Sequence, residues 1–295
     1  MHLGIAGIGR MGEAIGGRLI ELGHNLAVWN RSPAKAKPLA EAGATVAATP
    51  AELARQVETI ITVLTDAAAI DAVYGGAEGL LAGDVGGKLF IEMSTVPPTV
   101  EVALAKKVRA AGAAFVECPV GGSTGPARQG KLIGLMGGEE GDAARARPVL
   151  DQLCRRLEHC GPVGAGATMK LAINLPLMIY WQALGEALAI SRHIHFDPAR
   201  MIDLLSDTSG GPNILKVRGP NVAKLLMGEP PAPTSFDLDS ACKDLRTMVA
   251  EGHRCGVELP LTEHALASYG EASRNGWGGQ DVSAQSVYWS KRTKH

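Results

Sequence analysis

Little in this 295-residue chain marks it for a membrane, a nucleic acid or an oxidising compartment. It has five cysteines, Cys118, Cys154, Cys160, Cys242 and Cys255, with no CxxC pair and no metal-ligand spacing to its eight histidines. They are expected to be reduced packing residues of a cytoplasmic protein. An excess of one charge is also lacking. The 29 Lys plus Arg and 30 Asp plus Glu leave a formal net charge of -1, so no global basic field favours nucleic acid or anionic lipid. The basic "KRTKH" at 291–295 is read as a solvated tail. "MHLGIAGIGRMG" lacks a basic leader followed by a cleavable apolar segment, and the apolar run near 171–190 is broken by Asn174, Pro176, Gln182 and Glu186. Neither secretion nor membrane insertion is expected. Internal repeats and low-complexity tracts are missing too, and His193 and His195 in "SRHIHFD" read as exposed residues at a helix end rather than metal ligands.

What the chain does have is 46% hydrophobic residues and 37 glycines, enough for a sizeable core in two domains. Up to about residue 162, short apolar runs alternate with helical patterns, the signature of a parallel sheet covered by helices on both faces. The expected strands are 3–7, 26–30, 59–64, 89–93, 114–120 and 131–138. Helices are expected over about 10–22, 33–42 and 140–153, the first two ending at Gly23 and Gly43. Beyond "CGPVGAGAT" period-2 runs nearly vanish and helix-period segments take over. The expected division is therefore a nucleotide-binding α/β domain over 1–163 and an all-α domain over 164–295. The first helix of the second part, about 166–193, would be roughly 40 Å long, with Pro176 a point of kinking or interruption. "GEPPAPTSFD" (228–237) reads as a Pro-rich loop between helices.

"GIAGIGRMG" sets Gly7, Gly9 and Gly12 in G-x-G-x-x-G spacing, with Ile8, Arg10 and Met11 between them, directly after an expected strand and opening a helix. Such glycines permit a tight turn and close approach of the backbone to a pyrophosphate, whose charge the helix N-terminus stabilises. The next strand ends "VWNRS", where an NAD-binding chain would usually place Asp or Glu for the ribose 2′-OH. Here Asn30 is neutral and Arg31 cationic. A guanidinium can pair with a 2′-phosphate and stack on adenine, and Ser32 adds a hydroxyl donor, so NADP(H) is preferred over NAD(H).

"TMKLAIN" (168–174) puts Lys170 and Asn174 on one face of a mostly apolar helix, because positions four apart lie together. A solvated helix edge with a snorkelling lysine explains the pair blandly. A proton donor with its positioning partner explains it sharply.

Several motifs in order resemble those of the β-hydroxyacid dehydrogenase family: "GIAGIGRMG", "FIEMSTVPPTV" (90–100), "ECPVGGSTGPARQGKL" (117–132), "GAGATMKLAINL" (164–175), "CKDLRTMVAEG" (242–252) and "GGQDVSA" (278–284). The resemblance implies a Rossmann domain plus an all-helical substrate and dimerisation domain, in homodimers or homotetramers with the active site between domains. It implies an enzyme interconverting a small hydroxy acid and its semialdehyde or keto acid. Lys170 would then be the general acid/base and Asn174 its partner in fixing substrate or lysine. Ser94 would lie near substrate, Gly121, Gly122 and Ser123 would offer backbone N–H groups to a substrate carboxylate, and Thr95 would lie against the nicotinamide. Val63 and Leu64 would border the cofactor path, Lys243 would reach the cofactor, and Asp244 would brace its helix. One departure stands out: many members read P-V-S-G-G, whereas this chain reads "PVGGS". Gly121 loses or moves a hydroxyl contact, and its smaller size admits a bulkier acid or a plain aldehyde.

Reducing an aldehyde needs a hydride, a proton donor at the carbonyl oxygen and fixed charge for the substrate. Lys170 can supply the proton, and burial beside a cofactor would lower its pKa toward neutrality. Asn174 can donate to substrate without adding charge. Two readings compete with this one. Imine reductases share the architecture and the NADPH preference but typically lack the lysine matched by Lys170. Non-catalytic NADP-binding modules often lack it too.

Overall fold

The apolar runs of the first half form one sheet in the computed structural model, which describes residues 1–292. Strands β1 (His2–Ala6), β2 (Asn25–Trp29), β3 (Thr45–Val46), β4 (Thr59–Thr62), β5 (Leu89–Glu92) and β6 (Ala114–Glu117) are parallel, in the order β3-β2-β1-β4-β5-β6. Their pleat separates two core faces. The register row Ile5, Ile61, Ile91 and Val116 packs with Ile15 and Leu19 of helix α1 (Arg10–Glu21), while the neighbouring row Ile60, Phe90 and Phe115 packs on the opposite side. Each such fully buried side chain contributes about 1.5–3 kcal/mol of burial free energy. Strand order reverses between β1 and β4, the crevice where a Rossmann fold binds its dinucleotide.

Helices fill both faces: α2 (Lys37–Glu41), α3 (Pro50–Gln56), α4 (Ala67–Tyr74), α5 (Pro98–Ala110), the short α6 (Thr124–Arg128) and α7 (Glu140–Leu153). Thr49 Oγ1 accepts from Glu52 N at the start of α3 while Glu52 Oε2 accepts from Ala48 N, a reciprocal cap, and Asp66 caps α4.

Several expectations are corrected. The segment 114–120 is not one strand. It breaks at Cys118–Pro119 into β6 and β7 (Val120–Gly121), both in one antiparallel register with β8 (Leu132–Gly138), because Pro119 has no N–H to continue the ladder. The sheet is therefore mixed rather than wholly parallel, and β8 carries a further parallel neighbour, β9 (Cys154–Gly161), which the pattern did not predict. The segment 33–42 is a 3₁₀ turn over Pro33–Ala36 followed by α2. The expected tail is partly tied down: Lys291 Nζ donates to Leu225 O at 3.0 Å and Arg292 Nε to Glu271 Oε1 at 2.7 Å, while Thr293–His295 lie outside the described residues.

The backbone separates into two units, Met1–Ala172 and Ile173–His295, the division falling within α8 (Ala165–Ser191). That helix continues unbroken through Pro176. The second unit is built from the rest of α8 with α9 (Pro198–Ser206), α10 (Asn213–Leu226), α11 (Leu238–Arg254), α12 (Pro260–Ala272) and α13 (Ala284–Lys291). Met178, Trp181, Leu245, Tyr269 and Val287 are among its buried side chains, and Tyr269 donates its hydroxyl to Met178 O at 3.0 Å. Asp281 of "GGQDVSA" gathers Arg218, Thr234 and Ser283. The 228–237 segment is a loop leading to Asp237, which caps α11. His193 and His195 are exposed past the end of α8. Among the described residues no helix is long and apolar enough to cross a membrane.

Candidate active site

The glycine-rich turn lies at the carboxyl end of β1, and its three glycines do different work. Gly7 has φ +101° and its missing Cβ makes room for the Val63 carbonyl. Gly12 makes room for the Gly7 carbonyl. A Cβ at Gly9, by contrast, would meet nothing within 4 Å among the described residues beyond its own neighbours in the chain. Gly9 is also the N-cap of α1 and offers no side-chain cap. Two glycines thus serve the fold, and the third keeps an open cradle over the helix N-terminus, the space a pyrophosphate needs.

Asn30, just past β2, braces this turn: Ile8 N donates to Asn30 Oδ1 at 2.9 Å, and Asn30 Nδ2 donates to Ser32 O at 3.0 Å. The loop is thereby joined to "NRS", where Arg31 and Ser32 are exposed and no carboxylate occupies the ribose position. Arg10 is exposed at the head of α1, and Met11 is half-buried against the core. These residues fit an adenine dinucleotide. Val63 and Leu64 follow β4, beside β1, and both are half-buried.

Beyond β5, Ser94 is fully engaged within the first unit. Its Oγ accepts from Leu64 N at 2.7 Å and its N donates to Glu92 Oε1 at 2.8 Å, so the loops after β4 and β5 are held together. Thr95 follows, half-buried. Glu92 in turn receives Thr62 and, at 3.5 Å, the Tyr74 hydroxyl. Gly121 ends β7, Gly122 has φ +123°, and Ser123 opens α6, whose Arg128 donates to Glu13 of α1 at 3.0 Å. A Cβ at Gly121 would meet Ile133 Cβ at 3.6 Å, an ordinary contact, so the fold itself does not demand glycine there.

Lys170 lies in the second turn of α8 and is 8% exposed. The start of that helix is fixed by Glu117, at the end of β6: Gly164 N and Gly166 N donate to its Oε1 at 2.6 and 2.9 Å. Asn174, one turn after Lys170, falls in the second unit, where its Nδ2 donates to Asp244 Oδ2 at 3.3 Å. Asp244 is buried and also pairs with Lys243 Nζ at 3.0 Å. In the first unit the structure therefore groups the glycine turn, the loops after β2, β4 and β5, and the "PVGGS" segment around the carboxyl ends of the strands. In the second it groups Asn174, Lys243 and Asp244.

Glu92 and Glu117 lie within the family-like motifs and Glu101 just after one of them; sequence reasoning gave none of the three a role, and all three are fully buried. Burial pushes the Glu117 carboxyl up to about 7, against the helix-start N–H groups that pull it down; the Glu92 charge adds to the rise. Glu101, on α5, is raised well above the carboxylate range by burial and by the charges of Glu92 and Glu117, and neither of its oxygens has a hydrogen-bond partner among the described residues. The signal for two of them was a carboxylate ending an apolar strand, in "FIEM" and "FVEC".

Comparison with known proteins bears on this arrangement. The model of the NAD binding domain of 6-phosphogluconate dehydrogenase matches residues 2–161, and that of the NAD-binding region of NADP-dependent 3-hydroxyisobutyrate dehydrogenase matches residues 164–289. Glyoxylate/succinic semialdehyde reductase 1 of Arabidopsis thaliana is 32% identical over 284 residues, 96% of each chain. The chain belongs to the β-hydroxyacid dehydrogenase family. As a member it is an oxidoreductase with a nicotinamide-nucleotide domain. Its fold is similar to that of 3-hydroxyisobutyrate dehydrogenase from Salmonella typhimurium, with a TM-score of 0.86, 24% identity and coverage of 98% of this chain and 99% of that one. The likeness to a reductive aminase from Aspergillus terreus is weaker, with a TM-score of 0.64 at 25% identity over 98% and 99% of the two chains.

Proposed function

We propose that this family member reduces a small carboxylated aldehyde with NADPH, and oxidises the matching hydroxy acid in reverse, with Lys170 as general acid/base. The observation that carries the reading is a lysine almost wholly buried on an apolar helix whose first N–H groups are bound to the end of a sheet strand. A snorkelling lysine would keep its ammonium in water. The division of labour follows the sequence: residues 1–163 bind NADP and residues 164–295 complete the substrate site and form a homodimer or homotetramer. The five cysteines are all free, in keeping with a cytoplasmic protein.

Gly7–Gly12, Asn30, Arg31, Ser32, Val63, Leu64, Thr95 and Lys243 would hold the cofactor, which when bound supplies the hydride to the substrate carbonyl carbon. A neutral Asn30 beside an exposed Arg31 supports NADPH over NADH, since no carboxylate opposes the 2′-phosphate. Lys170 hydrogen-bonds the carbonyl oxygen and transfers its proton as alkoxide character develops; in reverse, the neutral amine takes the hydroxyl proton. Asn174, its amide oriented by Asp244, donates to substrate without adding charge. The N–H groups of Gly121, Gly122 and Ser123, with Ser94, receive the carboxylate.

Imine reduction is the rival reading, favoured by the likeness to the reductive aminase. The presence of Lys170 supports carbonyl chemistry instead. Following NADPH oxidation with glyoxylate, succinic semialdehyde and methylmalonate semialdehyde, beside cyclic imines, separates the two. Lys170→Ala is expected to lower kcat about 10²–10⁴-fold. Undiminished turnover in that variant overturns the mechanism.

A further inference from the structure

Glu117 is a fully buried carboxylate whose side chain lies on the backbone of two other elements. Oε1 takes the N–H groups of Gly164 and Gly166, two donors at the start of α8 that the helix itself cannot satisfy. Gly137 of β8 lacks the Cβ that would occupy the carboxylate's place, and Gly166 lacks the one that would strike the Leu135 carbonyl of the same strand. Thr168 Oγ1 bonds back to Gly164 O at 2.8 Å and tightens the same turn. Three elements, β6, β8 and the first turn of α8, therefore converge on one oxygen atom. Lys170 lies one helical turn beyond Gly166, within the same unit.

The opposite side of this connection is equally fixed. Glu117 is the register partner of Glu92 on β5, and Glu92 holds Ser94 N at 2.8 Å. The loop expected to meet the nicotinamide and the helix that carries Lys170 are thus anchored to neighbouring strands by two carboxylates at the same level of the sheet. A shift of the α8 start by even an ångström would carry Lys170 with it, because a helix transmits displacement along its axis over one turn.

We propose that Glu117 is a positioning residue for the reaction: it binds the first backbone N–H groups of α8 and so fixes the depth at which Lys170 meets the substrate carbonyl. The inference rests on the reading of Lys170 as the proton donor. Glu117 is fully buried and its Oε1 is taken up by the backbone N–H groups of the helix start, so it acts through the helix. Its effect is one of placement, and misplacement of a catalytic group by about 1 Å can cost on the order of 100-fold in rate.

The test uses steady-state kinetics with NADPH and succinic semialdehyde, and NADPH binding followed by nicotinamide fluorescence. Glu117→Asp keeps the charge but withdraws the acceptor by one methylene. It is expected to lower kcat at least ten-fold while the Kd for NADPH stays within about two-fold. Glu117→Gln keeps an acceptor oxygen where Oε1 lies and is expected to recover most of kcat. In a Lys170→Ala background, Glu117→Asp is expected to cost nothing further. Full kcat in Glu117→Asp overturns the proposal, as does an equal loss with and without Lys170, which marks a merely structural role. An inactive Lys170→Ala beside a fully active Glu117→Asp removes this inference alone. A fully active Lys170→Ala removes the mechanism and this inference with it.

Discussion

Glu92 and Glu117 are register partners on adjacent parallel strands, both fully buried, and their charges, with burial, raise the carboxyl of Glu101 on α5. Such a group holds protons more tightly folded than unfolded. For Glu117 the carboxyl rises from an ordinary 4.5 to about 7, burial being the main cause. Between these values the native state binds more protons than the unfolded chain, so stability falls as pH rises and levels off above about 7. The loss attributable to Glu117 is roughly 2–4 kcal/mol. Urea unfolding at pH 5 and pH 8 should show this slope in the wild type and a shallower one in Glu117→Gln, where Glu92 and Glu101 still titrate. Parallel slopes in the two proteins would refute it.

Gly9 and Gly12 should separate binding from folding. Gly9→Ala places its methyl in open space, so the melting temperature is expected to hold within about a degree while the NADPH KM rises ten-fold or more, the methyl lying where the pyrophosphate must approach. Gly12→Ala drives a methyl into the Gly7 carbonyl and is expected to destabilise the fold itself, by about 1–3 kcal/mol. Thermal melts and cofactor titrations of both variants check this. Equal effects on melting temperature would contradict it.

Arg31→Asp restores the carboxylate that a ribose 2′-OH prefers and removes the cation for a 2′-phosphate. The ratio of kcat/KM for NADPH to that for NADH should fall at least about ten-fold. Competition assays with both cofactors measure it, and an unmoved ratio removes the assignment of the 2′-phosphate site.

Gly121→Ser should be well tolerated, since its Cβ meets only Ile133 at van der Waals distance. The regained hydroxyl is expected to favour glyoxylate over succinic semialdehyde by about three- to ten-fold in kcat/KM, the worth of one hydrogen bond. If selectivity stays where it was, "PVGGS" does not set the substrate.

Much of the fold is legible in the amino-acid sequence. The strands expected over 59–64 and 89–93 form at Thr59–Thr62 and Leu89–Glu92, and the helix expected over 140–153 forms there, because burial on a sheet dictates those apolar patterns. β9 was not expected, because "CRRLEHCG" lies at an edge and alternates charge and polarity instead of apolarity. β3, two residues long, carries too little pattern to register. The split at Pro119 follows from one missing N–H inside a run that is apolar apart from Glu117. The glycine turn and the place of Lys170 on an apolar helix were legible from spacing, whereas Glu92 and Glu117 were hidden because a lone carboxylate in an apolar strand resembles its end. Glu117 is met by backbone N–H groups, which leave no mark in a sequence, and Glu92 by Ser94 N and by the hydroxyls of Thr62 and Tyr74, the latter two far from it along the chain.

The two edges of the sheet have a consequence for the protein in concentrated solution. β3 offers only Thr45 and Val46 to another strand, and β9 presents exposed Arg155, Arg156 and Glu158 along a ladder with register shifts at two points. Neither edge is a template for intermolecular strand addition. Strand addition at either edge is therefore disfavoured while the sheet stays folded, and crowding of the native protein does not by itself seed β-aggregation.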